Sequence, residues 1–318
     1  MPRMPPDQRR IGAHLPLATG MVRAVDRAHE IGADTLQIWT DNPTAWRRRA
    51  EPPTELEAFV ERLGVHGIGP VAIHAAYLCN LAGPDPTLFA ATVDILATEL
   101  RGAPSFRARF VNVHIGSHRD SGVDVGVARV AEGIRLTLAE VDDGPDAARL
   151  VLENSAGSGW GLGADLDELA AIADAVDGEG VPRHRLGFCL DTAHAWGAGL
   201  DVSDPAAIDT FLAGFDERIG LDRLVMIHLN DSRSERGSRL DRHEHLGAGR
   251  IGPVGLGHLL RHPGAAQAVA ILETPGMDEG YDAINVARAR ALVAGRPLED
   301  LPAEAFTLRS ARTRTAPA

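Results

Sequence analysis

Short apolar runs recur along the chain, and each is bounded by Gly, Pro or charged residues. Eight of these runs have the length and composition of β-strands. They begin at Ile11 (IGAHL), Thr35 (TLQIW), Val71 (VAIHAAY), Phe110 (FVNVHIG), Arg149 (RLVLENSA), Leu186 (LGFCLDTAH), Leu224 (LVMIHLND) and Ala268 (AVAILETP). Segments between them, such as TELEAFVERLG, TLFAATVDILATEL and DLDELAAIADAV, repeat apolar residues every three or four positions and are typical of amphipathic helices.

Eight strands that alternate with helices predict an α/β fold of the (β/α)8 TIM-barrel type rather than a doubly wound sheet. A dinucleotide-binding sheet would carry G-x-G-x-x-G after its first strand, and IGAHLPLATG does not supply that motif. We expect one barrel domain over residues 11–300. Residues 1–10 are predicted to be a flexible N-terminus, and residues 301–318 a disordered basic tail.

The composition excludes several kinds of chemistry. All 32 basic residues are arginine, so no lysine side chain can form a Schiff base or complete a Walker-type phosphate loop. The formal net charge of −12 argues against general adhesion to nucleic acid. It is compatible with a nucleic-acid enzyme whose site is made positive by bound metal ions.

The sequence predicts a cytoplasmic protein without a membrane partner. No apolar stretch reaches the roughly 18 residues that a membrane helix needs, and no signal-like segment follows the charged N-terminus. Cys79 and Cys189 are expected to be reduced thiols, because two cysteines in a chain of 318 residues make no disulfide framework.

Histidines and acidic residues stand at the C-terminal ends of the later strands and in the loop after the seventh. Taken singly, a strand-end histidine is usually structural and a strand-end carboxylate usually caps the next helix. In a TIM barrel, however, these ends converge on one mouth, and four carboxylates buried there are costly unless cations neutralise them. The set comprises His74, His114, Glu153, Asp191, His194, His228, Asp241, His243 and Glu273.

Five imidazoles and four carboxylates without a thiolate favour Zn²⁺ or Mn²⁺. A zinc ion takes about four ligands, so nine protein ligands suit two or three ions, especially if a carboxylate bridges a pair. Closely spaced metal ions are typical of enzymes that cleave phosphate esters, because the ions clamp both the attacking and the leaving oxygen.

Seven motifs occur in order over roughly residues 11–275: VAIHAAYLCN, VNVHIGSH, LENSAG, CLDTAHAWGAG, HLNDS, DRHEHLGAG and ILETP. This set resembles the endonuclease IV family of zinc-dependent abasic-site endonucleases. All nine positions at which that family binds metal carry the expected residue type here.

The resemblance implies a centre of three Zn²⁺ ions, with Mn²⁺ as an alternative at one or more positions. By analogy, Glu153 would be the catalytic bridging carboxylate, joining the first two ions and orienting the attacking metal hydroxide. The other ligands would be His74 and His114 on the first ion, Asp191, His228 and Glu273 on the second, and His194, Asp241 and His243 on the third.

The family hydrolyses the phosphodiester 5′ to an abasic site in duplex DNA, leaving a 3′-hydroxyl and a 5′-deoxyribose phosphate, and it trims blocked 3′ ends. The resemblance therefore implies a base-excision-repair hydrolase acting on such DNA, and we expect it to be a monomer. The absence of lysine agrees, since the alternative β-elimination route uses a lysine Schiff base.

The resemblance also implies DNA contacts. In that family, side chains of the loop after the second strand enter damaged DNA. This loop reads WTDNPTAWRRR here, with Thr44 and Ala45 in place of an Arg and a Gln. One of the three arginines after the tryptophan is a candidate substitute, and a solvated helix face is the other interpretation of that run. The predicted DNA-binding residues are Asn42, Trp46, Tyr77, Leu78 and Arg242.

Two other functions compete with the nuclease. A metal-dependent sugar isomerase or epimerase of the same barrel fold also gathers His, Asp and Glu at strand ends, but generally needs only Glu153 and the residues assigned above to the second ion. The additional set assigned to the third ion favours the nuclease. A non-catalytic DNA-damage binder with structural zinc is disfavoured, since structural zinc sites are usually closed tetrahedra of Cys and His.

Overall fold

Eight parallel strands form a closed barrel in the computed structural model, which describes residues 9–307. The strands are Ile11–His14 (β1), Thr35–Ile38 (β2), Val71–His74 (β3), Ala108–His114 (β4), Arg149–Glu153 (β5), Leu186–Asp191 (β6), Leu224–His228 (β7) and Val269–Leu272 (β10). Strands that are neighbours in this series pair with each other, and β10 closes the ring against β1. The predicted single-domain TIM barrel is confirmed.

Helices surround the barrel. The α-helices are Met21–Glu30 (α1), Leu56–His66 (α2), Pro86–Gly102 (α3), Val123–Ala139 (α4), Leu166–Gly178 (α5), Thr192–Ala198 (α6), Pro205–Arg218 (α7), Gly252–Arg261 (α8) and Asp282–Val293 (α9). Short 3₁₀ helices cover Ala103–Phe106, Arg183–Arg185, Leu221–Arg223, Pro263–Ala265, Met277–Glu279 and Ala303–Phe306. Asp85, Asp165 and Asp204 begin α3, α5 and α7, where their carboxylates accept hydrogen bonds from otherwise unpaired backbone N–H groups.

Side chains that point into the barrel form two layers. The lower layer is apolar and includes Ala72, Val151, Cys189, Met226 and Ile271. In each of these five segments, the residue two positions later is a candidate ligand: His74, Glu153, Asp191, His228 and Glu273, respectively. Because side chains alternate between the two faces of a strand, both sets face the interior. The polar layer therefore lies on an apolar floor at the C-terminal mouth.

A small antiparallel hairpin, Asp231–Ser232 (β8) with His243–Glu244 (β9), stands beside this mouth. The buried Asp231 carboxylate accepts hydrogen bonds from the backbone N–H groups of Gly249, Ile251 and Gly252 at 3.0, 2.9 and 3.1 Å. Burial raises the pKa of Asp231, although these bonds favour its ionised form. Asp231 thereby fastens the hairpin to the start of α8 and fixes where β9 presents His243.

The two chain ends are described only in part. Residues 1–8 of the predicted flexible N-terminus and residues 308–318 of the predicted tail lie outside the described residues. The Arg9 side chain is buried and donates to the Ala265 carbonyl oxygen at 2.7 Å. Ala305 is buried as well, and its carbonyl oxygen lies 3.0 Å from His245 Nε2, so the described fold extends beyond residue 300. Within residues 9–307, no helix is both long and apolar enough to cross a bilayer.

Candidate metal centre

All nine predicted ligand residues meet at the C-terminal mouth of the barrel. Eight of them form three overlapping groups, in each of which one potential ligand atom per residue lies within 4.8 Å of the others. The groups are His74, His114 and Glu153; Glu153, Asp191, His228 and Glu273; and Asp191, His194 and His243. The ninth residue, Asp241, adjoins the last group, with Oδ1 3.0 Å from His243 Nε2 and Oδ2 3.4 Å from His194 Nε2.

Glu153 lies at the centre of the cluster and is fully buried. Its Oε2 atom is 3.5 Å from His74 Nε2 and 3.3 Å from His228 Nδ1. Its Oε1 atom is 3.5 Å from His114 Nε2 and 3.1 Å from His194 Nδ1. Because this carboxylate belongs to two groups, it is placed where one side chain can bridge two ions.

Asp191 is also shared between two groups, which the assignment of this residue to a single ion did not anticipate. It ends β6 and is the N-cap of α6, so its Oδ1 accepts a hydrogen bond from the His194 backbone N–H at 2.7 Å. Its Oδ2 accepts from Asn230 Nδ2 at 2.8 Å and lies 3.6 Å from His243 Nε2. One carboxylate thus caps a helix and joins two groups of candidate ligands.

In four of the five candidate-ligand histidines, one ring nitrogen forms a hydrogen bond with a protein oxygen. The pairs are His74 Nδ1 with Ala75 O at 2.8 Å, His194 Nδ1 with Asn154 O at 2.9 Å, His243 Nδ1 with Glu273 O at 2.9 Å, and His228 Nε2 with Gln37 Oε1 at 3.1 Å. These oxygens can only accept, so the hydrogen-bonded nitrogen keeps its proton, and the other nitrogen faces the carboxylates and can bind a metal ion once its own proton is lost. This is the arrangement that metal-ligating histidines usually have.

Three buried atoms of the centre lack a hydrogen-bond partner: Glu153 Oε1, His228 Nδ1 and His243 Nε2. Buried polar atoms are normally paired, and all three are ligand atoms of a type that zinc accepts. The donor set therefore fits bound metal ions.

The charges of the centre depend strongly on one another. Burial alone would raise the pKa values of Glu153 and Glu273, but nearby histidines, His228 foremost, hold both pKa values well below the ordinary range. Burial opposes the charging of His243, yet Asp191 and Asp241 raise its pKa to about 9. Without metal, carboxylates and protonated imidazoles neutralise one another, and metal ions would bind here in exchange for protons.

Three further interior side chains, which the sequence had not marked as site residues, contact the candidate ligands. Gln37 of β2 donates from Nε2 to Glu273 Oε1 at 2.8 Å, and His14 Nδ1 of β1 lies 3.2 Å from the same oxygen. Asn112 of β4 donates from Nδ2 to Glu153 Oε2 at 2.6 Å. The period of two along each strand was the available signal, since all three positions face the barrel interior.

An open cavity of about 620 Å³ leads from the surface to the centre. Its walls include three of the predicted DNA-binding residues, Trp46, Tyr77 and Leu78. Burial and the carboxylates of the centre raise the pKa of Tyr77 to about 12, so its hydroxyl stays protonated at neutral pH. Aromatic and aliphatic side chains therefore stand directly beside the candidate ligands.

The other two predicted DNA-binding residues do not line this cavity. The exposed Asn42 folds back on its own loop, where Oδ1 accepts from the Thr44 backbone N–H at 3.0 Å and from the Thr44 hydroxyl at 2.8 Å. Arg242 is exposed, and its Nη1 donates to the Asp241 carbonyl oxygen at 2.7 Å. Asn42 follows β2 and Arg242 precedes β9, so both belong to loops beside the barrel mouth. Neither side chain forms part of the cavity wall.

The three arginines after Trp46 have different surroundings. The Arg48 side chain is buried and donates to the Ala45 carbonyl oxygen at 2.8 Å, with the buried Glu99 carboxylate 3.8 Å away. Arg49 Nε donates to Asp41 Oδ1 at 2.9 Å. Arg47 is exposed, so of the three it is the one free to meet a ligand from solvent. The run is therefore not a uniformly solvated face.

Two larger cavities, each of about 920 Å³, lie elsewhere on the described part of the protein and contain none of the candidate ligands. One is lined by the ends of α8 and α9 and the segment around Phe306, and the other lies beside α1 and Tyr281. Among the described residues, none of the three metal-type groups contributes to either cavity. Size therefore does not identify the site, and the smaller cavity over the centre is the candidate.

Fold and site together define a class: a TIM barrel with a cluster of candidate metal ligands at its C-terminal mouth. In agreement, the family model described as "Xylose isomerase-like TIM barrel" matches residues 25–295. A solved D-tagatose 3-epimerase-like protein shares this fold with a TM-score of 0.65, covering 90% of this chain and 97% of the other. At 17% identity that likeness concerns the fold alone.

Closer relatives narrow the class. The probable endonuclease 4 of Methanoculleus marisnigri is 39% identical over 282 residues, which cover 89% of this chain and 98% of the relative. The crystal structure of endonuclease IV from Thermus thermophilus is 37% identical with a TM-score of 0.76, covering 90% of this chain and 99% of the other. The chain belongs to the endonuclease IV family, and the resemblance seen in its motifs is confirmed.

Proposed function

We propose that this protein is a DNA-repair endonuclease that hydrolyses the phosphodiester 5′ to abasic sites and leaves a 3′-hydroxyl and a 5′-deoxyribose phosphate. The observation that carries the proposal is the presence of three overlapping ligand groups, joined by Glu153 and Asp191, at the mouth of the barrel. The names of its relatives, endonuclease 4 and endonuclease IV, support the same activity.

We propose three Zn²⁺ ions as cofactors, with Mn²⁺ as an alternative at one or more positions. Glu153 would be shared by the first and second ions, and Asp191 would bind the second ion and belongs also to the group that would hold the third. The remaining ligands follow the grouping in space: His74 and His114, then His228 and Glu273, then His194, Asp241 and His243. Ions at such closely spaced positions supply Lewis acidity and charge neutralisation for phosphodiester hydrolysis.

The chain's own residues prepare the site for an anionic substrate. Asn112 holds Glu153 from below, so the central carboxylate keeps one orientation. Hydrogen bonds at one ring nitrogen of His74, His194 and His243 keep the other ring nitrogen directed at the centre. Three divalent ions carry more charge than the four carboxylates neutralise, which leaves a positive pocket in a protein of net charge −12. A phosphodiester is therefore attracted to the mouth and not to the surface as a whole.

The cavity walls suit a nucleotide from which the base is missing. Trp46, Tyr77 and Leu78 present flat and apolar side chains beside the ligands. Such side chains can stack on neighbouring bases and occupy the space that a lost base leaves in the duplex.

A second candidate function is metal-dependent isomerisation or epimerisation of a sugar. One observation favours it: Glu153, Asp191, His228 and Glu273 form a complete four-residue ligand group by themselves. The two further groups are superfluous for that reaction, and the nuclease uses them all. Isomerase activity would need only the ion held by this one group.

The test measures zinc content and incision in the same preparation. The substrate is a duplex with one reduced abasic site, which resists β-elimination, and an identical duplex without the lesion is the control. We expect about three zinc ions per chain and a nick whose 3′ end a polymerase can extend. Intact duplex after incubation with fully zinc-loaded protein would refute the proposal, and turnover of a sugar by protein with one ion would favour the isomerase.

A further inference from the structure

The Gln37 side chain is fully buried beneath the centre and contacts two candidate ligands of the same group. Its Oε1 lies 3.1 Å from His228 Nε2, and its Nε2 lies 2.8 Å from Glu273 Oε1. We propose that Gln37 is a positioning residue, which fixes the ligand atoms of His228 and Glu273 for one metal ion. This inference rests on the proposed metal-dependent function.

The chemistry of the amide determines which atoms are used. The Gln37 oxygen can only accept, so His228 Nε2 keeps its proton, and Nδ1 is the nitrogen that gives up a proton when the ring becomes neutral or binds a metal ion. His228 Nδ1 is the buried atom without a hydrogen-bond partner, and it lies 3.3 Å from both Glu153 Oε2 and Glu273 Oε2. The acceptor end of Gln37 thus selects the tautomer of His228 that can bind a metal ion.

The amide nitrogen of Gln37 orients the Glu273 carboxylate. Glu273 Oε1 lies within hydrogen-bond distance of both Gln37 Nε2 and His14 Nδ1, at 2.8 and 3.2 Å. Gln37 Nε2 and His14 Nδ1 are themselves 3.0 Å apart, and both can donate to this one oxygen. With Oε1 engaged, Oε2 is the oxygen that faces His228 Nδ1. The two ends of one amide therefore orient the two neighbouring ligands towards the same point.

The position of Gln37 in the fold makes this role specific. Gln37 lies on β2, while His228 and Glu273 come from β7 and the end of β10, on the far side of β1. Of the three groups, these two residues belong only to the one that also contains Glu153 and Asp191. Loss of the amide should therefore weaken one ion more than the others. Partners that orient a metal ligand typically change metal affinity by about 10–100-fold.

Gln37→Met and Gln37→Leu remove both hydrogen bonds with little change in volume, and the flexible Met variant serves if the Leu variant does not fold. The matched control is Thr35→Val, on the same strand, which removes the buried hydrogen bond from Thr35 Oγ1 to the Pro70 carbonyl oxygen, at 2.5 Å. Thr35 contacts none of the candidate ligands. Zinc affinities are measured stepwise by competition with a chromophoric chelator, and the His228 tautomer by ¹⁵N NMR of the imidazoles in metal-free protein at an alkaline pH at which His228 is neutral.

We expect the Gln37 variants to bind one ion about 10–100-fold more weakly, to leave the other steps unchanged and to lose the single Nε2–H tautomer of His228. The Thr35 variant should bind all ions as the wild type does. Wild-type affinity at every step in a Gln37 variant, or equal weakening at every step, would overturn the inference while the proposed function stands. A wild-type protein that binds no zinc would refute both the role of Gln37 and the proposed function, so zinc binding by the wild type is measured first.

Discussion

The backbone N–H of His194 donates a hydrogen bond to the Asp191 side chain at 2.7 Å, which joins the end of β6 to the first turn of α6. The same carboxylate and the imidazole of His194 also belong to one group of candidate ligands. The motif CLDTAHAW therefore places a helix cap and two ligands within four residues. Metal binding and the start of α6 depend on the same side chain.

Substitution of Asp191 separates these two roles. Asp191→Asn keeps an oxygen that can accept from the His194 N–H, but it removes the negative charge that metal ions require. We expect the Asn variant to lose zinc and at least about 100-fold in incision rate. At alkaline pH, where the neighbouring imidazoles are neutral, the stability of its metal-free form should be close to that of the wild type, because the helix cap is kept. Asp191→Ala should in addition lower the free energy of unfolding by about 1 kcal/mol, because the cap is lost.

Urea unfolding of the metal-free proteins and metal analysis of the loaded proteins check this prediction. Equal stability of the Asn and Ala variants would show that the cap contributes nothing. Full zinc content in the Asn variant would remove Asp191 from the ligand set.

His243→Ala tests the group that also contains Asp191 and His194. His243 lies 3.0 Å from Asp241 and 3.6 Å from Asp191, so its loss leaves these carboxylates without their shared partner. We expect one zinc ion fewer per chain and loss of most cleavage, with the barrel still folded. Circular dichroism, zinc analysis and the abasic-duplex assay are the measurements.

His258→Ala is the matched control for that variant. His258 lies on α8 and contacts Asp209, and it belongs to none of the three ligand groups. The control should retain both zinc content and activity. Unaltered cleavage in His243→Ala would contradict the role assigned to His243.

His243 should also make the stability of the metal-free protein depend on pH. Burial opposes its charging, but Asp191 and Asp241 raise the pKa of His243 from 6.5 to about 9, so the folded state holds this proton more tightly than the unfolded chain does. The stabilisation is complete below pH 6.5 and is lost as the pH rises through about 9. We expect the free energy of unfolding of metal-free protein to fall over this range, as measured by urea denaturation.

Zinc binding should show the opposite trend. The ion displaces the His243 proton, so the apparent zinc affinity is expected to rise with pH up to about 9. Titration calorimetry in buffers of different ionisation enthalpy reports the released protons. Zinc uptake without proton release at pH 7 would contradict the raised pKa.

Arg47 and Arg48 are predicted to behave differently although they are adjacent. Arg48→Ala removes the hydrogen bond to Ala45 and leaves the buried Glu99 without its nearby cation. We expect a loss of about 2 kcal/mol in stability and weaker DNA binding, because the loop that places Trp46 in the cavity wall is no longer held. Arg47→Ala should change stability by less than about 0.5 kcal/mol.

DNA affinity as a function of salt concentration separates the two variants. Exposed Arg47 should contribute one phosphate contact, so its loss lowers the slope of log affinity against log salt by about 1. Equal salt slopes in Arg47→Ala and wild type would exclude that contact. Wild-type stability in Arg48→Ala would show that Arg48 does not hold the loop.

Much of the fold could be predicted, because the strands of a parallel barrel are short apolar segments of the sequence and the functional side chains follow directly at their C-terminal ends. Glu153 and His228 illustrate why the candidate ligands were also visible: each is a charged or titratable residue that ends an otherwise apolar strand. Gln37 was missed because a neutral amide within β2 carries no such contrast. His14 does end the apolar strand β1, but a single histidine was not enough to mark that strand as part of the site. Only the closure of β1 against β10 brings them to Glu273.

The loops were predicted less well, because their side-chain partners come from distant parts of the chain. Arg48 looked equivalent to Arg47 and Arg49, and its burial depends on Glu99 of α3. The hairpin that carries His243 is fixed by Asp231 through backbone groups of residues 249–252, which no periodicity in the sequence indicates. Contacts of this kind are set by tertiary packing rather than by local pattern.

The alternation of the two layers inside the barrel makes the centre sensitive to the length of each strand. Inserting or deleting a single residue within β5 would turn Glu153 away from the interior and bring a neighbour such as Leu152 into its place. The same change in the loop of residues 40–49 alters only one wall of the cavity. Insertions and deletions are therefore expected to be tolerated in this loop and forbidden in the strands that carry the candidate ligands. Under the proposed function, exchange of this loop should change lesion preference without rebuilding the centre.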